Sequence, residues 1–239
     1  MKKLSIIILL LFLTSQFTFA QGSPPLLLDD TGTPGPGGWE INLVTSFEHS
    51  SKVNEFEAPL VDVNYGWGER IQLKIEFPLL VEQEEDFDTQ IRFDGIEFGV
   101  KYRFLGEDDA GTSMSCYPQI YYVVNGENDL EFFLPVEFHR EWETFGLTVE
   151  IGHAWVNGKS EGWEGGIGAA IFFDETEILF EWHSAMLEAP VKLYEPMIDV
   201  GFVWDWSENS SLLFALGKSL HSSDEETNLW GMGGVQFIF

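Results

Sequence analysis

The chain has 239 residues, with 40 acidic side chains against 12 basic ones and a formal net charge of −28. That balance excludes a nucleic-acid partner, which needs clustered Lys and Arg, and an aromatic content of 15% excludes a disordered chain. The single cysteine, Cys116, excludes an internal disulfide and a cysteine-based zinc site.

Residues 1–20 read as a secretory signal peptide, with Lys2 and Lys3 as the charged start, Leu4 to Leu13 as the apolar stretch and Thr18-Phe19-Ala20 as the cleavage site. The apolar stretch is about half of the ~20 residues that a spanning helix needs. Cleavage before Gln21 removes both lysines and leaves 10 basic against 40 acidic residues, or −30 (12 − 2 = 10; 10 − 40 = −30). Residues 21–38 are rich in Pro and Gly, which suit neither a helix nor a central strand. This stretch is expected to be a periplasmic lead-in or a plug folded into a lumen. The lead-in is the simpler expectation, because chain ends are loose unless tied down.

From Trp39 onward the sequence alternates with period two, which puts successive side chains on opposite faces of a strand. Ile71, Leu73, Ile75, Phe77 and Leu79 alternate with Gln72, Lys74, Glu76 and Pro78; Phe145, Leu147, Val149 and Ile151 alternate with Gly146, Thr148 and Glu150. Twelve such segments follow: 39–50, 58–67, 70–81, 94–104, 115–125, 132–141, 144–157, 162–173, 176–187, 194–206, 210–220 and 229–239. Most match the ~9–11 residues that a tilted strand needs to cross a bilayer. Connections on one side are short, as at Gly68-Glu69, Trp142-Glu143 and Asp174-Glu175. Those on the other side, such as Glu82 to Phe93 and Ser222 to Asn228, are longer and acidic. That asymmetry belongs to outer-membrane barrels. Residues 39–239 are therefore expected to form an all-β, closed antiparallel transmembrane β-barrel of about 12 strands, within a range of 10–14. A lipocalin-like soluble barrel is the alternative. Against it stand tryptophans near segment ends (Trp39, Trp67, Trp155, Trp163, Trp204, Trp206, Trp230), which suit interfacial girdles. The chain closes on Val235-Gln236-Phe237-Ile238-Phe239. This resembles the recognition signal of outer-membrane barrels and implies the barrel assembly machinery as a partner.

The stretch from Pro24 to Asn42, with Leu26-Leu27-Leu28-Asp29-Asp30 followed by Thr31-Gly32-Thr33-Pro34-Gly35-Pro36-Gly37-Gly38-Trp39, resembles the start of barrels in the MetA-pathway of phenol degradation family. The resemblance implies an outer-membrane, transporter-like barrel and, more loosely, a link to aromatic compounds. It brings no catalytic motif.

If the apolar faces meet lipid, the alternate faces line the interior. Lys74, Lys101 and Arg103, with Glu76 and Glu97, are the candidate charged constriction; their plainer role is mutual neutralisation across strands. Gly168, Ala170, Phe172 and Val203 form a candidate apolar wall. It suits an apolar solute, or else close contact with a plug. Other constellations are weak. His221, Ser223 and Glu225 or Glu226 have the residue types of an acyl-transfer triad but no oxyanion-hole signature, so no enzyme is expected. The acidic runs lack a calcium-loop pattern and the histidines lack metal-ligand spacing, so neither a metal nor a cofactor is expected. The expected function is a passive channel or solute-binding transporter of the bacterial outer membrane, a monomer in lipid, for small aromatic or apolar compounds. The alternatives are a closed structural or surface-binding barrel and a lipid-modifying hydrolase.

Overall fold

Alternating β-branched and aromatic residues favour extended backbone, and long runs of them pair edge to edge. In the computed structural model, which describes residues 25–50, 53–84, 89–93, 95–106, 111–124, 130–156, 160–189, 193–221 and 228–239, they form fourteen strands. These are β1 (Trp39–His49), β2 (Val53–Gly66), β3 (Ile71–Glu84), β4 (Gln90–Phe93), β5 (Gly95–Leu105), β6 (Thr112–Cys116), β7 (Gln119–Val123), β8 (Leu130–Trp142), β9 (Phe145–Val156), β10 (Ser160–Phe173), β11 (Thr176–Ala189), β12 (Leu193–Ser207), β13 (Ser210–Ser219) and β14 (Leu229–Ile238). The expected signal peptide, the centres of the acidic runs, and Ser222 and Ser223 lie outside the described residues.

Every pairing is antiparallel between neighbours. β4 and β5 pair with successive parts of β3, and β6 and β7 both bridge β5 and β8. Each of these pairs is one interrupted strand, so fourteen segments make twelve staves (14 − 2 = 12). β14 pairs with β1 from Glu40↔Ile238 to His49↔Leu229 and closes the ring. The fold is a closed twelve-stranded antiparallel barrel, which leaves no free edge.

The expected segments recur with local differences. The connection expected over Glu82 to Phe93 is shorter, because β3 continues to Glu84 and β4 starts at Gln90, and β6 starts at Thr112, ahead of the expected residue 115. The segment expected over 115–125 breaks at Tyr117-Pro118, because proline has no N–H for the ladder. The carbonyl of Pro118 still accepts from Val100 N–H at 3.1 Å. β2 starts at Val53, ahead of the expected residue 58, and a register shift between Glu57 and Leu60 absorbs Pro59.

The wall is apolar outside and polar inside, the reverse of a soluble domain. Phe98, Ile151, Ile167, Val200 and Phe214 are about half exposed on the outer face, whereas Asn42, Asp62, Asn64, Gln72 and Glu137 are buried on the inner one. Trp39, Trp67, Trp142, Trp204 and Trp206 are exposed near the rim that carries the short turns 67–70, 143–144, 174–175 and 208–209. Trp155 and Trp163 are exposed near the opposite rim. Trp230 differs from expectation. It falls on the inward parity of β14 and packs with Val44, Met197, Ala215 and Met232. Its place near a segment end concealed that parity.

Candidate functional site

The lumen is not empty. Residues 25–38 enter it from the short-turn rim and lie along its inner wall. Gly35 (φ 79°) and Gly37 (φ 76°) take the left-handed backbone that turns this segment into β1. Gly37 N–H donates to Gly66 O and Gly66 N–H to Gly38 O, both at 2.9 Å. Gly66 lies so close to the backbone of Gly35 that a Cβ there has no room.

Deeper in, side chains of the wall take over. Thr31 shares a hydroxyl hydrogen bond with Ser113 of β6. Gln119 of β7 donates to Asp29 Oδ2 at 3.0 Å, and Asp29 N–H donates to Glu150 Oε2 of β9 at 3.2 Å. Glu181 of β11 accepts from Leu27 N–H (3.2 Å) and Leu28 N–H (2.9 Å), one on each carboxylate oxygen. An extended segment exposes unpaired N–H groups, and inward carboxylates are strong acceptors for them.

The five charged residues expected at a constriction divide into three tasks. Lys74 pairs with both Glu76 and Glu97 at 2.9 Å. The three sit on adjoining β3 and β5, where the one lysine bridges both glutamates within the wall. Lys101 is fully buried, and its Nζ donates to Asp30 O at 2.6 Å. It also stands 3.6 Å from Asp29 Oδ1, 3.8 Å from Asp30 Oδ1 and 4.6 Å from the centre of the Tyr117 ring. Lys101 thus serves residues 29–30. Arg103, two residues nearer the short-turn rim, donates from Nη2 to Glu69 O at 2.8 Å. Alternation places all five inside but does not bring them to one level, because Arg103 and Glu97 are six residues apart, or ~20 Å along the strand.

The inner wall of β1, β2 and β3 carries a polar network. Asn42 and Asn64 both donate to Asp62 Oδ2 at 2.9 Å, Asn42 donates to Glu40 at 3.0 Å, and Gln72 donates to Asn64 Oδ1 at 2.7 Å.

The apolar wall has an occupant from the chain itself. Val203, Ala170, Leu179 and Leu213 form one buried cluster, and Leu26 and Phe172 pack on it. Leu26 also packs on the cluster that contains Trp230. A Cβ at Gly201 would stand 3.0 Å from Leu26 Cδ2 and 3.3 Å from Pro25 Cγ, and one at Gly168 would stand 3.8 Å from Leu28 Cδ1. Small residues on β10 and β12 are what let the two leucines seat. Val203 is covered and presents no surface to the lumen. Gly168, Ala170 and Phe172 stay at the edge of the remaining space.

That space is a cavity of about 820 Å³ beneath residues 25–36. Leu28, Ala170, Phe172, Leu179 and Ile238 give it an apolar side, and Glu40, Glu141, Glu177 and Glu181 add carboxylates. Arg70 and Arg103 close the far side, and Glu69, Glu208 and Asn209 mark its mouth at the short-turn rim.

Sequence reasoning missed the segment's side of these contacts. The signal was available in Leu26-Leu27-Leu28-Asp29-Asp30, a run of three leucines inside a Pro/Gly stretch followed by two acids. The leucines match the small-residue wall, and the acids match a buried lysine. The candidate triad is not assembled among the described residues: His221 is exposed, its N–H donates to Ser219 Oγ at 3.1 Å, and Ser223 is outside them. Among the described residues no three His, Cys, Asp or Glu side chains are grouped to hold a metal.

No protein-family model matches the sequence and no curated protein matches it, so the resemblance to the phenol-degradation family gains no support from them. Solved structures do resemble it. The COG4313 outer membrane channel from Pseudomonas putida F1 superposes with a TM-score of 0.73 at 8% identity, covering 90% of this chain and 100% of that one. The NanC porin gives 0.62 at 8% identity over 82% and 98% of the two chains. The KdgM porin in complex with disordered oligogalacturonate gives 0.59 at 11% identity over 83% and 99%. At these identities the likeness speaks for the fold, and the fold is that of outer-membrane β-barrels.

Proposed function

We propose that this protein is a monomeric passive channel of the bacterial outer membrane, narrowed by its own residues 25–38, with small aromatic or apolar compounds as its solutes. The observation that carries the reading is how those residues are held. From Leu27 to Thr31 they are gripped by side chains of β5, β6, β7, β9 and β11, and not by a strand ladder. Such contacts can be released one by one while the barrel stays closed. The described porins and channels of similar fold support a conducting role, and the outward apolar band supports a lipid-embedded wall.

No covalent chemistry enters this mechanism. Solutes diffuse past the segment through the polar-and-apolar lumen and the cavity below it. Lys74 and Lys101 are engaged by carboxylates of the wall and of the segment, Arg103 stands near the mouth, and the surplus of acids on the inner wall favours cations. Phe239 is exposed at the short-turn rim, its N–H donating to Trp39 O at 2.9 Å, where assembly machinery can reach it.

The test is conductance of the refolded full chain in a planar bilayer, with and without phenol. Discrete steps whose size or lifetime changes with phenol are expected. A folded barrel that gives no steps would overturn the channel reading and leave a closed, surface-binding barrel.

A further inference from the structure

We infer that the cavity at the short-turn rim binds small aromatic compounds that carry an ammonium group, with Glu177 as the residue that takes the charge. This deepens the channel reading, and rests on it for the claim that the bound compound is cargo.

The argument starts from strand register. Glu177 on β11 stands directly opposite Phe172 on β10 and Val203 on β12, with all three on the inner face. Facing Cβ atoms in such rows are ~4.5–5.5 Å apart, close enough for one small ligand to touch both side chains. Phe172, Ala170 and Leu179 make the apolar side of the cavity, so a carboxylate sits at the edge of a ready apolar surface. A ring laid on that surface reaches Glu177 without crossing the lumen.

Asp205 on β12, Asp30 of the luminal segment and Glu141 at the end of β8 surround Glu177 with negative charge, and His139, also in the cavity lining, stands 3.9 Å from Glu141 Oε2. The cavity's arginines stand on the far side, at the start of β3 and on β5, and Arg103 already donates to Glu69 O. An ammonium group there meets carboxylates beside the aromatic ring of Phe172, and an aromatic face attracts a cation laid over it through its quadrupole. A neutral aromatic gains the apolar surface alone, and an anionic one is repelled. The cavity, about 820 Å³, lies in the range of small-molecule sites.

Calorimetric titration of the refolded full chain in detergent tests this with three probes of one skeleton: phenethylammonium, 2-phenylethanol and 3-phenylpropionate. The ammonium compound is expected to bind about tenfold more tightly than the alcohol, the size of effect expected of a partly desolvated ion pair. The carboxylate compound is expected to bind weakest. Glu177→Gln keeps the side chain's shape and is expected to remove most of the ammonium's advantage while leaving the alcohol's affinity unchanged. Phe172→Ala is expected to weaken both compounds together. Equal binding of ammonium and alcohol to the native protein would overturn the inference. So would an advantage that survives Glu177→Gln in a barrel that still migrates as folded on unheated gels. The measurement needs no ion flow, so the two readings fail separately. Binding without conductance removes the channel and keeps the site; conductance without ammonium preference removes the site and keeps the channel.

Discussion

Replacing Glu181 with Ala tests whether residues 25–38 are a removable restriction. Its carboxylate is 5% exposed and accepts from two consecutive backbone N–H groups, Leu27 at 3.2 Å and Leu28 at 2.9 Å. A hydrogen bond contributes about 1 kcal/mol net, rising to about 1.5–3 kcal/mol when the acceptor is charged. Leu27 is 37% exposed, so its freed N–H can turn to water, and the lower end of that range applies to it. Glu181 also stands opposite the buried carboxylate of Asp199 in register. Together the two lost hydrogen bonds remove about 2–3 kcal/mol from the seated state, while the packing of Leu26 and Leu28 stays. By the rule of about 1.4 kcal/mol per factor of ten, the ratio of dislodged to seated segment rises roughly 30- to 150-fold. Single-channel recording reads this as a wide-conductance state that is rare in the native protein and frequent in Glu181→Ala. Glu181→Gln keeps one acceptor oxygen and falls between them. An Ala variant that folds, conducts and shows the native distribution of current levels would refute the idea that these contacts hold the segment in place.

Gly201→Val should act at the other end of the same segment: the added side chain takes the place of Leu26, which already stands 3.0 Å from the position of a Cβ there, and the wide state should again become more frequent in bilayer recordings. Lys74→Met leaves Glu76 and Glu97 without their shared partner, and breaking such a pair by removing one member costs about 3–5 kcal/mol; a lower midpoint for urea unfolding in detergent should show it, and an unchanged midpoint would mean that water already screens the trio. Arg103→Glu reverses a charge near the mouth of the cavity without touching residues 29–30, so reversal potentials in a salt gradient should move further towards cation selectivity.

The barrel was legible because its signal is repeated. Period two in twelve segments, short turns on one side and aromatic residues near segment ends all express one requirement, an apolar outer face of bilayer thickness. Where one residue departs from the repeat, the reading failed locally. Trp230 lies near a segment end like the girdle tryptophans, and only the pairing of β14 with β1 and β13 shows its inward parity. Pro118 breaks a stave that alternation alone would continue. The inner surface was legible as a list of residues but not as an arrangement. Alternation says that Lys74, Lys101 and Arg103 face inward. It is silent on which carboxylate each one meets, because the partners of Lys101 come from a segment about 70 residues away with no periodicity of its own.

This division of the cations explains how the interior would select. Carboxylates outnumber cations on the inner wall, so each cation's commitment matters. Lys74 is held between two glutamates of the wall, and Lys101 is spent on Asp29 and Asp30. Neither contributes a free positive charge to the path. Among the described residues that line the cavity, Arg103 and Arg70 are the guanidinium groups, both near the mouth at the short-turn rim and on or next to strands across the barrel from Glu177. A solute that enters that cavity therefore meets a transverse field, carboxylate on the apolar side and guanidinium on the other, instead of a ring of one sign. Such a field orients a molecule that has an apolar body and one charged end, whereas a bare ion feels two walls that partly cancel. The same few residues that seat the segment above thus leave behind, below it, a cavity whose polarity has a direction. Displacing the segment would carry Asp29 and Asp30 away from Lys101 and return its charge to the lumen. Opening the pore should then weaken its cation preference as it widens. A wide state more cation-selective than the narrow one would contradict this assignment of Lys101.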